Sequence, residues 1–512
     1  MLNLAHFLNV TAKEHPDTLA VILDQRKMTY AEVASAARRV ANALTAKGIG
    51  KGDKVAMMLA NTPHFPIIYY GILHTGATVV PVNVLFTADE IEHYLSDSEA
   101  VALFSFTMFQ EQAVKAFNRC ESCHSLIQCG PADWMDAPEV GENFMHLMMQ
   151  SSDEFDTVQT MPDDSAVLLY TSGTTGAPKG AELTHFNLFF NAYFAAKEIN
   201  KVTPGDVCLV TLPLFHSYAQ TCLMNACVIS GGTMTLVPRF ETEKVLEVIQ
   251  RDKVKLIALV PTMYAFLLNY PDCDKYDLSS IQVAASGGAA LPDETHRRFK
   301  ERFGITIQEG YGLSETSPVA SFTLQGMELK VGSIGKPIWG VEMAIMREDG
   351  TMAEVDEVGE VVIRGHNIMK GYFNKPEATR EAIVNGWFHS GDLGRVDEDG
   401  FYFIVDRKKE IIIRGGMNIY PSEIEQALYK HPKIAECAVI GIPDDIRGEE
   451  VSYVIAPRAG ETITPEEIQS YVEEHLAKYK WPKDIEIMAE LPKTATGKIL
   501  KREIKRMILE RG

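Results

Sequence analysis

The sequence predicts an α/β protein: a large N-terminal part of several subdomains with parallel-rich sheets, a β-rich subdomain, and a small α+β domain at the C-terminus. Three observations point there. Short β-branched runs alternate with amphipathic helical stretches as far as Gly340. Strand-like runs at 342–346, 359–363 and 400–405 follow, separated by Glu-Asp-Gly and Asp-Glu-Asp-Gly turns. Beyond Asp406 the pattern becomes a compact mixture of helix and strand.

Leu4, Phe7 and Leu8 sit at helical spacing near the N-terminus. Thr29 reads as the N-cap of a helix over 30–46, which Gly48 closes. A strand over 54–59, a helix over 63–74 and a strand over 78–82 come next. Similar units recur through Gly340, with no repeat of fixed period and no low-complexity block. In the C-terminal segment, helices are predicted over 421–429 and 465–478, and strands over 436–442 and 451–456. The last twenty residues carry Lys493, Lys498, Lys501, Arg502, Lys505 and Arg506; the last four of these read as a solvated helix face.

The length of 512 residues suggests roughly three domains or subdomains. A hydrophobic fraction of 46% with 23% charged residues excludes disorder as a whole-chain description. The net charge of −20 argues against nonspecific nucleic-acid binding, and no nucleic-acid partner is expected. No stretch is long and apolar enough to span a bilayer, and the first 14 residues lack the marks of a signal peptide. A cytoplasmic protein with at most peripheral membrane contact is expected. Eight cysteines in so long a chain are not a disulfide scaffold. Cys120-Glu-Ser-Cys123-His124 has the spacing of a c-type haem site, and nearby Cys129 suggests zinc. Without a visible export signal, ordinary reduced thiols are the better reading.

The strongest chemical signal is Tyr170-Thr-Ser-Gly-Thr-Thr-Gly-Ala-Pro-Lys179-Gly180, between a strand over 165–170 and a helix over 185–199. Gly173, Gly176 and Gly180 allow close approach of backbone to a ligand. Thr171, Ser172, Thr174 and Thr175 supply hydroxyls and Lys179 a positive charge, a set that suits polyphosphate. It is not the usual P-loop, because Gly rather than Ser or Thr follows Lys179.

At this loop the sequence resembles the adenylate-forming superfamily of acyl-CoA synthetases, nonribosomal adenylation domains and luciferases. Six further motifs stand in the family's order, so the resemblance covers nearly the whole chain. They are Leu212-Pro-Leu-Phe-His216, Ser286-Gly-Gly-Ala-Ala-Leu-Pro292, Gly310-Tyr-Gly-Leu-Ser-Glu315, Gly386-Trp-Phe-His-Ser-Gly-Asp392, Asp406-Arg-Lys-Lys-Glu410 with Gly415-Gly416, and Pro492-Lys-Thr-Ala-Thr-Gly-Lys498. Within the superfamily it looks most like bacterial long-chain fatty-acid–CoA ligases.

The resemblance implies a two-step reaction with ATP and coenzyme A as substrates, magnesium as cofactor and a small-molecule carboxylate as partner. It assigns magnesium to Glu315 with Thr175, and nucleotide contacts to the phosphate loop, including Gly176. Gly288, Ala289 and Ala290 would lie on one side of the adenine, with Glu309, Gly310, Tyr311 and Gly312 on the other. Ser314, in a place where Thr is usual, would meet phosphate. Asp392 would hold the ribose hydroxyls, aided by Arg407. Lys498 would bridge carboxylate and α-phosphate, with Lys179 and His216 also in catalytic positions. His216 and Tyr218 would line the acyl pocket. Lys409 would be the hinge between a domain over 1–408 and a small mobile one over 409–512. Arg239, Gly415 and Gly416 would serve coenzyme A.

A fatty acyl-CoA synthetase is therefore the leading expectation, and an aryl-CoA ligase of the coumarate or benzoate type is the alternative. An amino-acid adenylation domain would carry an Asp before the pocket helix, where this chain has Phe215-His-Ser-Tyr218. A non-catalytic lipid-binding scaffold is the alternative of another class. The intact set Thr175, Lys179, Glu315, Asp392, Arg407 and Lys498 argues against it.

Overall fold

The computed structural model describes residues 2–131, 134–171 and 178–511. Among these residues the chain forms four sheets. The first runs in the order Lys336–Pro337, Val319–Phe322, Ile307–Gly312, Val283–Ser286, Leu256–Leu259, Val207–Val210, Thr233–Leu236, Leu19–Leu23, Arg26–Thr29. Its central strands are parallel and its edges antiparallel. The second sheet runs Gly371–Tyr372, Lys179–Thr184, Ser165–Thr171, Thr78–Pro81, Lys54–Met58, Ala100–Phe106, Ser125–Cys129, Glu142–Asn143, and is again parallel at its centre.

The helix His64–His74 packs against Lys54–Met58 and Thr78–Pro81 of the second sheet, and all of its residues are buried. A helix that is apolar on every side can only exist inside a core. Its neighbour Tyr30–Ala46 packs so closely that a Cβ at Gly71 would strike the side chain of Val40. Thr29 and Glu32 form the capping box that starts Tyr30–Ala46, as the sequence predicts for its N-terminus. Gly48 takes the left-handed conformation after it (φ 76°).

Asn61 joins the two layers. Its amide donates to Leu212 O at 2.9 Å and to Val210 O at 3.3 Å, and its oxygen accepts from Leu214 N at 2.9 Å. One buried side chain thus fixes the Leu212–His216 segment that leaves the first sheet.

The third sheet is antiparallel, with strands Val341–Met346, Gly359–Gly365, Trp387–Val396, Ile383–Val384 and Tyr402–Arg407. The fourth holds Met417–Ile419, Ile412–Arg414, Gly448–Pro457, Ile434–Asp444 and Asp484–Ile487, with its own buried cluster around Ile424, Val439 and Tyr453. No helix among the described residues is long and apolar enough to cross a membrane.

Three expectations change. The phosphate-loop motif does not lead straight into a helix. The strand Lys179–Thr184 lies antiparallel to Ser165–Thr171, with Lys179 opposite Thr171, and Thr184 caps a helix His185–Phe194. Lys179-Gly-Ala-Glu-Leu-Thr184 has a single β-branched residue, Thr184, at its end, which hid the strand. The helix expected to reach Ile199 is α-helical only to Phe194 and continues as a π-helical turn over Ala195–Ile199. Lys501 is not on a solvated face. Its ammonium pairs with Glu425 at 2.8 Å and Glu410 at 3.3 Å. Burial alone would lower its pKa, but these carboxylates hold it above the ordinary lysine value.

Asn61→Leu should destabilise the large body by about 2 kcal/mol or more, because it strands the buried Leu214 N–H and Leu212 carbonyl. Thermal unfolding followed by circular dichroism checks this; an unchanged midpoint contradicts it.

Candidate active site

A cavity of ≈ 790 Å³ opens where the first three sheets meet the C-terminal body. Most of its wall follows the carboxyl ends of parallel strands: Leu212 after Val207–Val210, Val260 after Leu256–Leu259, Gly287 after Val283–Ser286. Ligands of open α/β sheets bind in that place, because the chain there turns away and leaves a crevice.

Part of the cavity wall is apolar, with Ile199, Pro213, Ala219, Cys222 and Val260. Ile199 belongs to the first π-helical turn, and Ala219 and Cys222 to a second, Tyr218–Asn225. Another part is charged. Glu315 is buried there, accepting from Thr171 Oγ1 at 3.1 Å and Tyr372 Oη at 2.9 Å. Lys179 Nζ lies over the Tyr372 ring, 5.3 Å from its centre. Ser314 also lines this part, its hydroxyl 3.4 Å from that of Ser217.

Tyr311 projects between two glycines. Gly310 and Gly312 lie against the strand Val319–Phe322, and a Cβ on either would collide with Phe322 or the Pro318 carbonyl. Tyr311 Oη donates to Asp392 Oδ2 at 2.6 Å, and Arg407 Nε stands 3.4 Å from Asp392 Oδ1. Asp392 and Arg407 are register partners on adjacent strands. Burial raises the Asp392 pKa, opposed by the Arg407 charge and the Tyr311 hydrogen bond.

Lys498 enters from the C-terminal body. Its loop is braced by Thr494 N donating to Lys498 O and Gly497 N donating to Thr494 O. Thr262 Oγ1 of the large body donates to Gly497 O at 3.0 Å. A Cβ at Gly288 would stand 3.2 Å from Lys498 Cε, and the φ of 84° there also favours glycine. Burial lowers the Lys498 pKa to about 8; Arg407 pushes the same way and Asp392 opposes. His216 lines the wall nearby, its pKa lowered to about 4 by burial and by the Lys498 charge. At neutral pH it is therefore an uncharged imidazole.

The cavity thus brings together Thr171, Lys179, His216, Tyr218, Gly288, Gly310, Tyr311, Gly312, Ser314, Glu315, Asp392, Arg407, Lys409 and Lys498 from the sequence reading. Ser172, Gly173, Thr174, Thr175 and Gly176 lie outside the described residues. Ala289, Ala290, Glu309 and Arg239 do not line the cavity. Glu309 instead accepts from Leu291 N at 3.4 Å inside the core, where burial pushes its carboxyl up to about 8. Gly415 and Gly416 form the turn of a hairpin with open space beside both, outside the cavity wall. The eight cysteines are buried, and Cys120 and Cys123 pack in a hydrophobic cluster with Leu95 and Leu126. Among the described residues no three metal-binding side chains gather.

Sequence reasoning missed Tyr372, Thr262 and Glu360, all at or beside the cavity. Their partners are 57 to 235 positions away, at Glu315 and Gly497, or across a β-bulge, so no local spacing exposes them.

The sequence matches two families, AMP-binding enzyme over residues 8–373 and AMP-binding enzyme C-terminal domain over 423–498. It is 38% identical to a long-chain-fatty-acid–CoA ligase of Bacillus subtilis (strain 168), over 98% of this chain and 94% of that one. It is 36% identical to a feruloyl-CoA synthase of Amycolatopsis sp, over 97% of each chain. Among solved structures, the anthranilate CoA ligase AuaEII in complex with anthranoyl-AMP superimposes with a TM-score of 0.92 at 27% identity, over 99% of this chain and 97% of that one.

Competitive amine labelling across pH should show Lys498 titrating near 8 in the ligand-free protein. Asp392→Asn should lower that value further, by removing a negative charge that favours the ammonium. Arg407→Ala should raise it. Titration at the ordinary lysine value, or shifts of opposite sign, would contradict this electrostatic assignment.

Proposed function

The chain belongs to the AMP-binding enzyme family, and from that membership and the cavity we propose an AMP-forming fatty-acid–CoA ligase. The observation that carries this reading is one cavity whose wall holds both apolar and charged residues, into which Lys498 reaches from the C-terminal body. In the first step a carboxylate oxygen bonds to the α-phosphorus of ATP, the α–β bridging bond breaks, and pyrophosphate leaves. In the second the coenzyme A thiol attacks the acyl carbon, and AMP leaves with the electrons of the acyl–phosphate bond.

Asp392 accepts from the ribose hydroxyls, with Arg407 and Tyr311 holding its carboxylate. The Lys498 ammonium lies between carboxylate and α-phosphate and stabilises the charge that develops there. Lys179 and the Ser/Thr loop over 171–176 bind the departing phosphates. Neutral His216 and Tyr218 border the acyl chain. Glu315, a buried carboxylate already accepting from two hydroxyls, fits magnesium, a cation that takes one or two carboxylates plus substrate phosphates. Glu315 and Thr175 would hold it, and it would neutralise phosphate charge.

The second step uses a rotation at Lys409, in the turn that follows Tyr402–Arg407. It withdraws Lys498 and brings the Gly415-Gly416 turn to the cavity for the pantetheine thiol. Arg239 at the surface meets the coenzyme A phosphates. A fatty-acid substrate partitions into bilayers, so peripheral contact from the cytoplasm suffices to reach it. The aryl-CoA alternative draws support from the relative named feruloyl-CoA synthase. Thioester formation across short-, medium- and long-chain fatty acids, benzoate and coumarate decides between them; preference for the aromatic acids overturns the fatty-acid reading.

Lys498→Ala should slow adenylation by about 100-fold or more, while thioester formation from pre-made acyl-adenylate survives. Lys409→Pro should do the reverse, because proline restricts φ at the hinge. Both half-reactions measured on both variants check this. Equal slowing of both steps by Lys498→Ala contradicts the alternating mechanism. Glu315→Gln should leave the fold intact and weaken pyrophosphate release; wild-type release by the folded variant removes Glu315 from the metal role.

A further inference from the structure

Asp392 reaches the cavity from a bulge, and the bulge needs support. In the pairing of Gly359–Gly365 with Trp387–Val396, Glu360 stands opposite Leu393 and Val362 opposite His389. Two steps on one strand thus face four on the other, so Ser390, Gly391 and Asp392 leave the ladder. Gly391 is left-handed (φ 73°). A segment freed from its ladder must find other partners for its backbone groups.

Glu360 supplies the central one. Its Oε1 accepts from Gly391 N at 3.1 Å. Its Oε2 lies 3.4 Å from Lys408 Nζ and 3.3 Å from His389 Nδ1. Lys408 closes the ring from the other side, its backbone N–H donating to Gly391 O at 2.9 Å. Ser390 Oγ donates to Val361 O at 2.6 Å and accepts from Asp392 N at 3.0 Å. The Glu360 side chain is only 15% exposed, so its carboxylate is a fixed part of the bulge and not a solvated charge. Its partners also span the chain from the bulge to the residue before Lys409.

We infer that Glu360 is a positioning residue for the nucleotide: it holds the Ser390–Asp392 bulge in the shape that presents the Asp392 carboxylate to the ribose. The inference rests on the ribose role proposed for Asp392. Glu360 acts through the Gly391 N–H. What matters there is an acceptor oxygen at full glutamate reach, more than its charge.

That distinction sets the test. The Kd for AMP, the KM for ATP and the KM for the carboxylate are measured on purified Glu360→Ala, Glu360→Asp, Glu360→Gln and Asp392→Ala proteins, with thermal midpoints as a check on folding. Glu360→Ala should weaken AMP binding and raise the KM for ATP about 10-fold, equivalent to about 1.4 kcal/mol, with the KM for the carboxylate unchanged. Glu360→Asp keeps the charge but loses one methylene of reach, and should resemble Glu360→Ala. Glu360→Gln keeps the acceptor and should recover to within about 3-fold of wild type. Should Glu360→Ala fail to fold, the contrast between Asp and Gln decides alone. Wild-type AMP affinity in Glu360→Asp, or no recovery in Glu360→Gln, overturns the inference. Asp392→Ala separates the two readings. If it weakens AMP binding while the Glu360 variants do not, only the role of Glu360 falls. If it leaves AMP affinity unchanged, the ribose role of Asp392 falls, and the inference with it.

Discussion

The buried Asp392 carboxylate is the point on which the site depends. A charge out of water is costly unless it is paired and hydrogen-bonded. Tyr311 from the first sheet and Arg407 from the third satisfy it, and the Lys498 charge from the C-terminal body acts on it. Three parts of the chain therefore meet through one group. Gly310 and Gly312 let the Tyr311 strand come close to its neighbour, and the bulge at Ser390 to Asp392 turns the carboxylate inward. Each is a local irregularity that makes sense only from the position of that oxygen.

A second set of charges ties the C-terminal body to the chain that leads into it. Asp406, on the last strand of the large body, accepts from Ser422 N at the start of the helix Pro421–Tyr429. Lys501 joins Glu410, just past Lys409, to Glu425 on the same helix, and Lys501 follows Lys498 by three residues. The lysine loop and the turn after Lys409 are thus linked by a buried ammonium. Removing one partner would leave an uncompensated buried charge, so this network holds its parts in a narrow geometry.

Much of this was legible in the sequence. Thr29, the 3.6-residue period after it and Gly48 gave the first long helix its start and stop. The Pro421 helix is predicted to its observed ends. The motif glycines and charged residues led to the polar part of the cavity wall, because they are dictated locally by backbone approach and by charge. What was not legible depends on tertiary neighbours. The strand Lys179–Thr184 is short of β-branched residues and is held by its pairing with Ser165–Thr171. The π-helical turns lie where two buried helices lean on each other, and residue type alone does not mark them. Lys501 looked solvated because Glu410 and Glu425 are distant in sequence. Glu360 sits in an ordinary strand and gains its meaning from a bulge opposite.

Hydrogen bonds help seat the C-terminal body on the large one: Thr262 to Gly497, Arg458 to Asn269, and Asp293 N to Gln426, beside the packing of Ala495 on the large core. Heat capacity changes in proteins come chiefly from apolar surface passing into or out of water. Were the proposed rotation to break these hydrogen bonds, that loss would itself expose little of it. Under that proposal, the balance between seated and released forms would owe little curvature with temperature to these polar contacts, unlike the domed curve of global unfolding. Hydrogen bonds of this kind would keep the proposed rotation in balance in the cold, where an interface held by apolar burial weakens.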